Sequence, residues 1–330
     1  MHIGLISAPM RILVTGGAGF IGSNYVRRVL ETTDDTVTVY DALTYAGNLS
    51  TLADVDARFG GRYHFVHGNI CDLDAFTQAA KGQDAVVHFA AESHVDRSIA
   101  GPEDFVVTNC VGTNAIMHAC RTLGVGRVVH VSTDEVYGSV ETGDSVEGDP
   151  LDPRSPYSAS KAGSDLIALS YFTTYQTPVM VTRSSNNFGP WQYPEKVIPL
   201  FTTNLLDGLK VPLYGDGLNR RDWLYVNDNC AAIDLVLRSG RPGEIYNIGA
   251  GNELANRDLT DRLLALASVG EEMVSYVEDR LGHDRRYSVD STKVRNLGWA
   301  PSADLEEALA ATYSWYRDNR WWWEPLRTQR

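Results

Sequence analysis

Residues 132–137 read Ser-Thr-Asp-Glu-Val-Tyr, and Tyr157 stands four residues before Lys161. On a helix, a Tyr-x-x-x-Lys pair shares one face, one turn apart. The ammonium lowers the phenol's pKa, so the phenol can take or give a proton near neutral pH. Such a pair suits hydride transfer at an alcohol carbon. Asp134 and Glu135 add two carboxyl groups that hydride transfer does not need. They suit removal of water, one group protonated as donor and the other ionised as base. Two acids in a loop are more often simply solvated. Here they follow the apolar run Arg127–Val131 and precede Val136-Tyr137-Gly138, which pins them at the carboxyl edge of a strand, where α/β sites lie. Thr133, at the same strand end, is placed to hydrogen-bond the hydroxyl that Tyr157 deprotonates.

Hydride transfer needs a carrier. Thr15-Gly16-Gly17-Ala18-Gly19-Phe20-Ile21-Gly22 follows a first strand and opens a first helix. Gly16, Gly19 and Gly22 let the backbone turn tightly and approach a pyrophosphate, with helix N–H groups facing the anion. Asp41 ends the second strand, where a carboxylate accepts from the adenosine ribose hydroxyls and repels a 2′-phosphate. The cofactor implied is NAD rather than NADP. Asn69-Ile70, after the third strand, is placed to meet the adenine edge.

The elements that must hold these groups are legible as short apolar runs alternating with helical patterns. Arg11–Thr15, Thr36–Tyr40, Tyr63–His67, Ala85–His88, Arg127–Val131 and Val179–Arg183 read as strands, the first five apolar on both faces as buried parallel strands are. Phe20–Leu30, Leu73–Ala80, Glu103–Leu123 and Pro156–Tyr175 read as helices. The alternation predicts an α/β fold: a Rossmann-type doubly wound parallel sheet. Beyond residue 190, Gly and Pro break the chain often, and helices are expected near Pro199–Gly208, Asn227–Arg238, Asn256–Ala267 and Asp304–Asn319. The division expected is a loosely ordered extension over residues 1–9, an NAD-binding domain with the catalytic residues over 10–190, and a smaller substrate-binding lobe over 191–330, with some segments returning to the first domain.

Composition excludes other classes. The chain has 330 residues, 43% of them hydrophobic, which allows a large core. A net charge of −13 argues against a nucleic-acid partner, which needs a basic stripe. No apolar run reaches the roughly 20 residues of a membrane span, and the start lacks the pattern of a signal peptide. Cys71, Cys110, Cys120 and Cys230 form no Cys-x-x-Cys pair, so free thiols and no metal site are expected. Free thiols on an acidic chain suit a cytoplasmic enzyme.

The chain resembles the extended short-chain dehydrogenase/reductases, and within them the dTDP-glucose 4,6-dehydratases. The resemblance rests on Thr15–Gly22, Tyr40–Asn48, His88–Ser98, Thr133–Gly138, Ser155-Pro156-Tyr157 with Ser160-Lys161, Asn186–Pro190, Pro194–Pro199, Gly282–Tyr287, and Trp315-Tyr316 with Trp321–Leu326. Ser184 stands where the family commonly has cysteine, and Asn69 where it often has aspartate. Neither change touches the chemistry. The resemblance implies further NAD contacts at Phe20, Ile21, Leu43, Thr44, Gly47, Ala90 and Ala91. It implies a catalytic set of Thr133, Asp134, Glu135, Tyr157 and Lys161, with Glu135 removing the C5 proton and Asp134 protonating the departing 6-hydroxyl. For the pyrophosphate it implies Arg220 or Arg221, Asn256 and the Gly282–Tyr287 stretch, with His283 and Arg286 foremost and Tyr287 beside them. Ser93, His94, Asn186, Glu195 and Lys196 become sugar or phosphate neighbours, and Tyr214 a stacking face for the base. The substrate implied is the nucleotide sugar dTDP-glucose. Apolar residues beyond one buried stripe on Glu103–Leu123 and Pro156–Tyr175 suggest a four-helix homodimer interface, as in that family. Trp321–Trp323 are expected to pack the C-terminal helix. A 4-epimerase of this fold lacks the acid pair, a GDP-mannose 4,6-dehydratase typically has Thr-Ser-Glu in its place, and a non-catalytic NAD sensor has no use for it.

Overall fold

The computed structural model describes residues 8–327. The extension expected over residues 1–9 lies, apart from Ala8 and Pro9, outside the described residues. Seven strands form one parallel sheet in the order β10-β6-β5-β4-β1-β2-β3. They are β1 (Arg11–Thr15), β2 (Thr36–Asp41), β3 (Tyr63–His67), β4 (Ala85–His88), β5 (Arg127–Thr133), β6 (Val179–Ser184) and β10 (Ile245–Ile248). Reading outward from β1 in both directions gives the doubly wound pattern, whose ligand crevice lies at the carboxyl ends of the strands.

Alternate residues of the strands feed two cores. Ile12, Val14, Val37, Val39, Val87 and Val129 meet Tyr25, Val26 and Val29 of helix α1 (Phe20–Thr32) on one face. Leu13, Val86, Val128 and Val181 meet Phe76, Ile116, Met117 and Ala168 on the other. The edge strand β3 departs from the two-faced expectation: His64 and His67 are exposed, because β3 is the last strand of the sheet.

Between α1 and the catalytic helix lie α2 (Ala53–Phe59), α3 (Leu73–Ala80), α4 (Val95–Ala100), α5 (Glu103–Val106) and α6 (Thr113–Leu123). The stretch read as one helix, Glu103–Leu123, is interrupted by a π-helical segment, Val107–Gly112. Such wide turns often serve functional sites. The catalytic helix α7 (Pro156–Tyr175) starts where Ser155 and Ser158 cap each other reciprocally and Pro156 occupies the first turn; it stops at Gln176, which is left-handed at φ 60.

The C-terminal half builds its own core from Phe188, Ile198, Phe201, Trp223, Leu259, Leu263 and Leu309. Two small sheets frame it: β7 (Asn186–Phe188), β9 (Arg220–Tyr225) and β11 (Glu253–Ala255) form one, and β8 (Val211–Tyr214) with β12 (Val274–Val277) the other. Trp322 and Trp323 are buried against Tyr193 and Tyr316, whereas Trp321 is exposed.

Candidate active site

Four chain segments leave the carboxyl edge of the sheet around one cavity of about 480 Å³. The first is the glycine turn between β1 and α1. Gly16 is left-handed at φ +68, and a Cβ there would lie 2.6 Å from the Ala90 nitrogen. A Cβ on Gly22 would strike the Gly16 carbonyl. Helix α1 opens at Gly19 with no side-chain cap and no acid in its first turn, so its N–H groups stay available to an anion. Asp41 closes β2, accepts from Leu43 N at 2.8 Å and Ala18 N at 2.9 Å, and faces the same cavity. Bare backbone at the turn and a carboxylate one strand away fit a dinucleotide whose ribose is unphosphorylated.

The second segment follows β5. Thr133 ends the strand and its side chain accepts from Glu135 N at 3.3 Å, starting a tight 3-10 turn over Asp134–Tyr137. Gly138 ends that turn at φ 76, so close to the Asp152 carbonyl that a side chain would not fit. The turn aims Asp134 and Glu135 into the cavity. Asp134 is 3% exposed, and its Oδ2 has no hydrogen-bond partner among the described residues. Burial, and then the neighbouring Glu135 charge, push Asp134 well above the ordinary aspartate range. Burial also raises Glu135, but Lys196, Arg221 and Arg280 pull against it.

The third segment is the start of α7. Tyr157 and Lys161 both line the cavity. Their pairing differs from the expectation. Lys161 Nζ donates to the Val131 carbonyl at 2.8 Å, and burial lowers its pKa to about 8. Tyr157 is pushed up, by burial first and the Glu135 charge second, against a hydrogen bond from Thr133 that pulls it down. Low polarity around both groups outweighs their helical spacing.

The fourth segment is the C-terminal lobe. Arg221, Asn256, His283, Tyr287, Tyr214, Asn186, Glu195 and Lys196 reach the cavity, as do Ser93 and His94 after β4. So do Phe20, Ile21, Thr44, Gly47, Asn69, Ile70, Ala90 and Ala91. Three named residues do not, Leu43, Arg220 and Arg286. Leu43 packs its side chain into the core and contributes only its backbone N–H, to Asp41. Arg286 turns away: its Nη2 lies 2.7 Å from Glu253, and its Nη1 donates to the Gly143 carbonyl at 2.6 Å. The reason is pleating. Arg220 and Arg286 are bridged partners, so both project to the outer side and meet Glu253, whereas Arg221 and Tyr287 face inward. His283 is not a cation: burial holds its pKa at about 4, and its Nδ1 lies 2.6 Å from Asp279.

Three contributors escaped sequence reasoning. Arg280 lines the cavity and lies over the Tyr214 ring at 5.1 Å; its place beside Gly282-His283-Asp284 was the signal. Tyr45 has no role assigned to it within the Tyr40–Asn48 stretch, yet Arg97 stacks on it at 3.8 Å. Asn109, in the π-helical segment, bridges the Glu92 backbone and Ser160 Oγ at 2.8 Å, tying α7 to the loop after β4.

The chain matches the family model described as GDP-mannose 4,6 dehydratase over residues 13–312. It is 56% identical to a dTDP-glucose 4,6-dehydratase of Streptomyces antibioticus, with 96% of each chain covered. It is 46% identical to the enzyme of that name from Salmonella typhimurium, over 95% of this chain and 94% of that one. Among solved structures, DesIV, a dTDP-glucose 4,6-dehydratase from Streptomyces venezuelae with NAD bound, superposes with a TM-score of 0.94 at 55% identity, covering 96% of this chain and all of that one. A UDP-glucose 4-epimerase from Thermus thermophilus, in complex with NAD, follows at 0.87 and 31%, over 94% of this chain and 100% of its own.

Proposed function

The chain belongs to the dTDP-glucose 4,6-dehydratase family, and we propose that it is a hydro-lyase converting dTDP-glucose to dTDP-4-keto-6-deoxyglucose with NAD as its resident cofactor. One observation carries the reading: a protonation-biased acid, Asp134, stands beside a cation-tempered one, Glu135, in the cavity that also holds Tyr157 and the glycine turn.

NAD, when bound by Gly16, Gly19, Gly22 and Asp41, supplies the acceptor for hydride from sugar C4 and later the donor to C6. The protein handles protons. Tyr157, with Thr133 and Lys161, takes the proton of the 4-hydroxyl, leaving a ketone that acidifies the hydrogen on C5. Glu135 removes that hydrogen. Asp134 gives its proton to the departing 6-hydroxyl, so one water leaves across C5–C6. Glu135 returns a proton to C5, and Asp134 recovers the proton that Tyr157 gained. Reduction at C6 balances oxidation at C4, so the reaction consumes no reductant.

Arg221, Arg280 and Asn256 suit the pyrophosphate, with neutral His283 as an N–H donor beside them. Exposed Val106 at the end of α5 and Val107 and Val111 in the π-helical segment, with Leu166 on α7, support a homodimer joined through these helices. Ile116 and Met117, which the sequence pattern of Glu103–Leu123 also offers to that face, are instead buried in the core. Free thiols at all four cysteines suit the reducing cytoplasm. The direct test is incubation with dTDP-glucose and detection of the alkali-induced absorbance of a 4-keto sugar. Absence of that chromophore with cofactor-replete protein would overturn the reading.

A further inference from the structure

The catalytic helix carries a third polar residue in step with Tyr157 and Lys161. Asp165 lies one turn beyond Lys161 and is fully buried. Its Oδ2 accepts from Arg183 Nε of β6 at 2.9 Å, and its Oδ1 lies 3.3 Å from His130 Nε2 of β5. Arg183 is 2% exposed and stacks on the Tyr137 ring at 4.7 Å. His88 stands behind, its ring 5.1 Å from that of His130, with both its nitrogens bonded to Thr15 and Thr113. Nothing in hydride transfer or elimination uses this buried cluster.

We propose that Asp165 is a positioning residue for the reaction: held by Arg183 and standing one helical turn from Lys161, its carboxylate keeps Lys161 an ammonium, and so keeps the Tyr157 phenol able to give up its proton. The inference rests on the roles assigned to Tyr157 and Lys161 above.

The surroundings of Lys161 leave few other sources of negative charge. The groups facing it are the Cys110 thiol from the π-helical segment, His88 and His130 from β4 and β5, and Asp165 from its own helix. The thiol is pushed up by burial and stays neutral. Both histidines are held low by burial and are neutral at pH 7. Asp165 is the ionised one. Burial alone would raise it, but His130, Arg183 and Lys161 outweigh that and hold it below the usual carboxylate range. Burial drags Lys161 down to about 8, and the Asp165 charge is the largest influence opposing it. A purely structural ion pair pinning α7 to β6 would need Arg183 and Asp165 but would be indifferent to Lys161.

The experiment uses the holoenzyme labelled with ¹³Cε-lysine, whose five lysines give few signals; Lys161→Met assigns the relevant one. In the wild type that signal should titrate near the value of about 8. In Asp165→Asn it should titrate about 1–3 units lower, the effect of losing a close opposite charge. The alkaline limb of kcat should move down with it. Asp165→Asn with Arg183→Gln removes both charges and avoids a stranded guanidinium, so it guards against misfolding. It should keep the lowered Lys161 titration. An unmoved Lys161 signal in either variant, or a drop in kcat equal at all pH values, overturns the proposal. The titration needs no substrate, so a failure of the dehydratase reading itself would show separately, as wild-type protein that makes no 4-keto sugar.

Discussion

Replacing Glu135 with glutamine separates the two halves of the reaction. The change keeps the side chain's shape and removes its charge and its basicity. Loss of a general base costs about 10²–10⁴ in rate, or roughly 3–5 kcal/mol of barrier. That loss should fall on elimination alone. The first half should respond in the opposite sense. The Glu135 charge is the second influence, after burial, that raises the Tyr157 phenol, so removing it lowers the phenol's pKa. For a close like charge the effect is about one unit or more. Oxidation at C4 should therefore reach a given rate at lower pH in Glu135→Gln than in the wild type.

The assay is a stopped-flow record of reduced nicotinamide absorbance across pH, followed by product analysis in deuterium oxide. Glu135→Gln should accumulate reduced cofactor, make 4-keto-6-deoxy product 10²–10⁴-fold more slowly, and exchange no deuterium into C5. Asp134→Asn should also stall product formation but still exchange C5, because its neighbour remains a base. Near-wild-type turnover by Glu135→Gln, or C5 exchange in it, would refute the assignment of the base. A failure to form reduced cofactor would refute the claim that Glu135 acts only after oxidation.

Three further outcomes are expected. Denaturing the purified protein should release NAD(H) and not NADP(H), because Asp41 is buried at the end of β2 and faces the cavity, where a carboxylate would repel a 2′-phosphate; recovery of mainly NADP(H) contradicts this. The value of kcat/KM for dTDP-glucose should exceed that for UDP-glucose by about 10–200-fold, the worth of one methyl in an apolar niche, and GDP-mannose should react poorly; equal dTDP and UDP values remove the methyl argument. Light scattering at micromolar protein should give a dimer mass, and Leu166→Asp, which places a charge at a side chain 60% exposed, should give monomers; a monomeric parent protein removes the helix-face reading.

Much of the site was readable because α/β topology brings the ends of β1, β2, β4 and β5 to one edge. Residues just past each strand therefore meet without any long-range information, as Gly16, Asp41, Ala90 and Asp134 do. The helical phase of Tyr157 and Lys161 was equally local. Three things were not. Which of Arg220 and Arg221 faces inward depends on the pleat of β9, and a register shift of one residue reverses every side chain. Arg286 follows Arg220 outward through their bridge, which no spacing reveals. The seventh strand, Ile245–Ile248, was hidden by the Gly and Pro residues before it, although it completes the sheet beside β6. The phenol's pKa was misjudged for a related reason. A two-residue motif carries the sign of one interaction but not the burial that competes with it.

The acid pair shows how adjacency becomes a division of labour. Two like charges in consecutive residues raise each other, so some asymmetry must decide which carboxyl keeps a proton. Here the asymmetry is delivered from outside the motif. Asp134 points where burial is nearly complete; Arg221 pulls it down, but the Asp222 charge adds to that of Glu135 against it. Glu135 points toward Lys196, Arg221 and Arg280, which come from the start of α8 (Val197–Leu206), from β9 and from the loop after β12. The cations temper one acid more than the other, so the first remains the donor and the second the base. The C-terminal lobe therefore has a part in the chemistry beyond the nucleotide binding proposed for it. It sets the protonation state of a pair that the sheet alone would leave matched, and neutralising Lys196 or Arg280 should blur that difference before it weakens binding of the sugar.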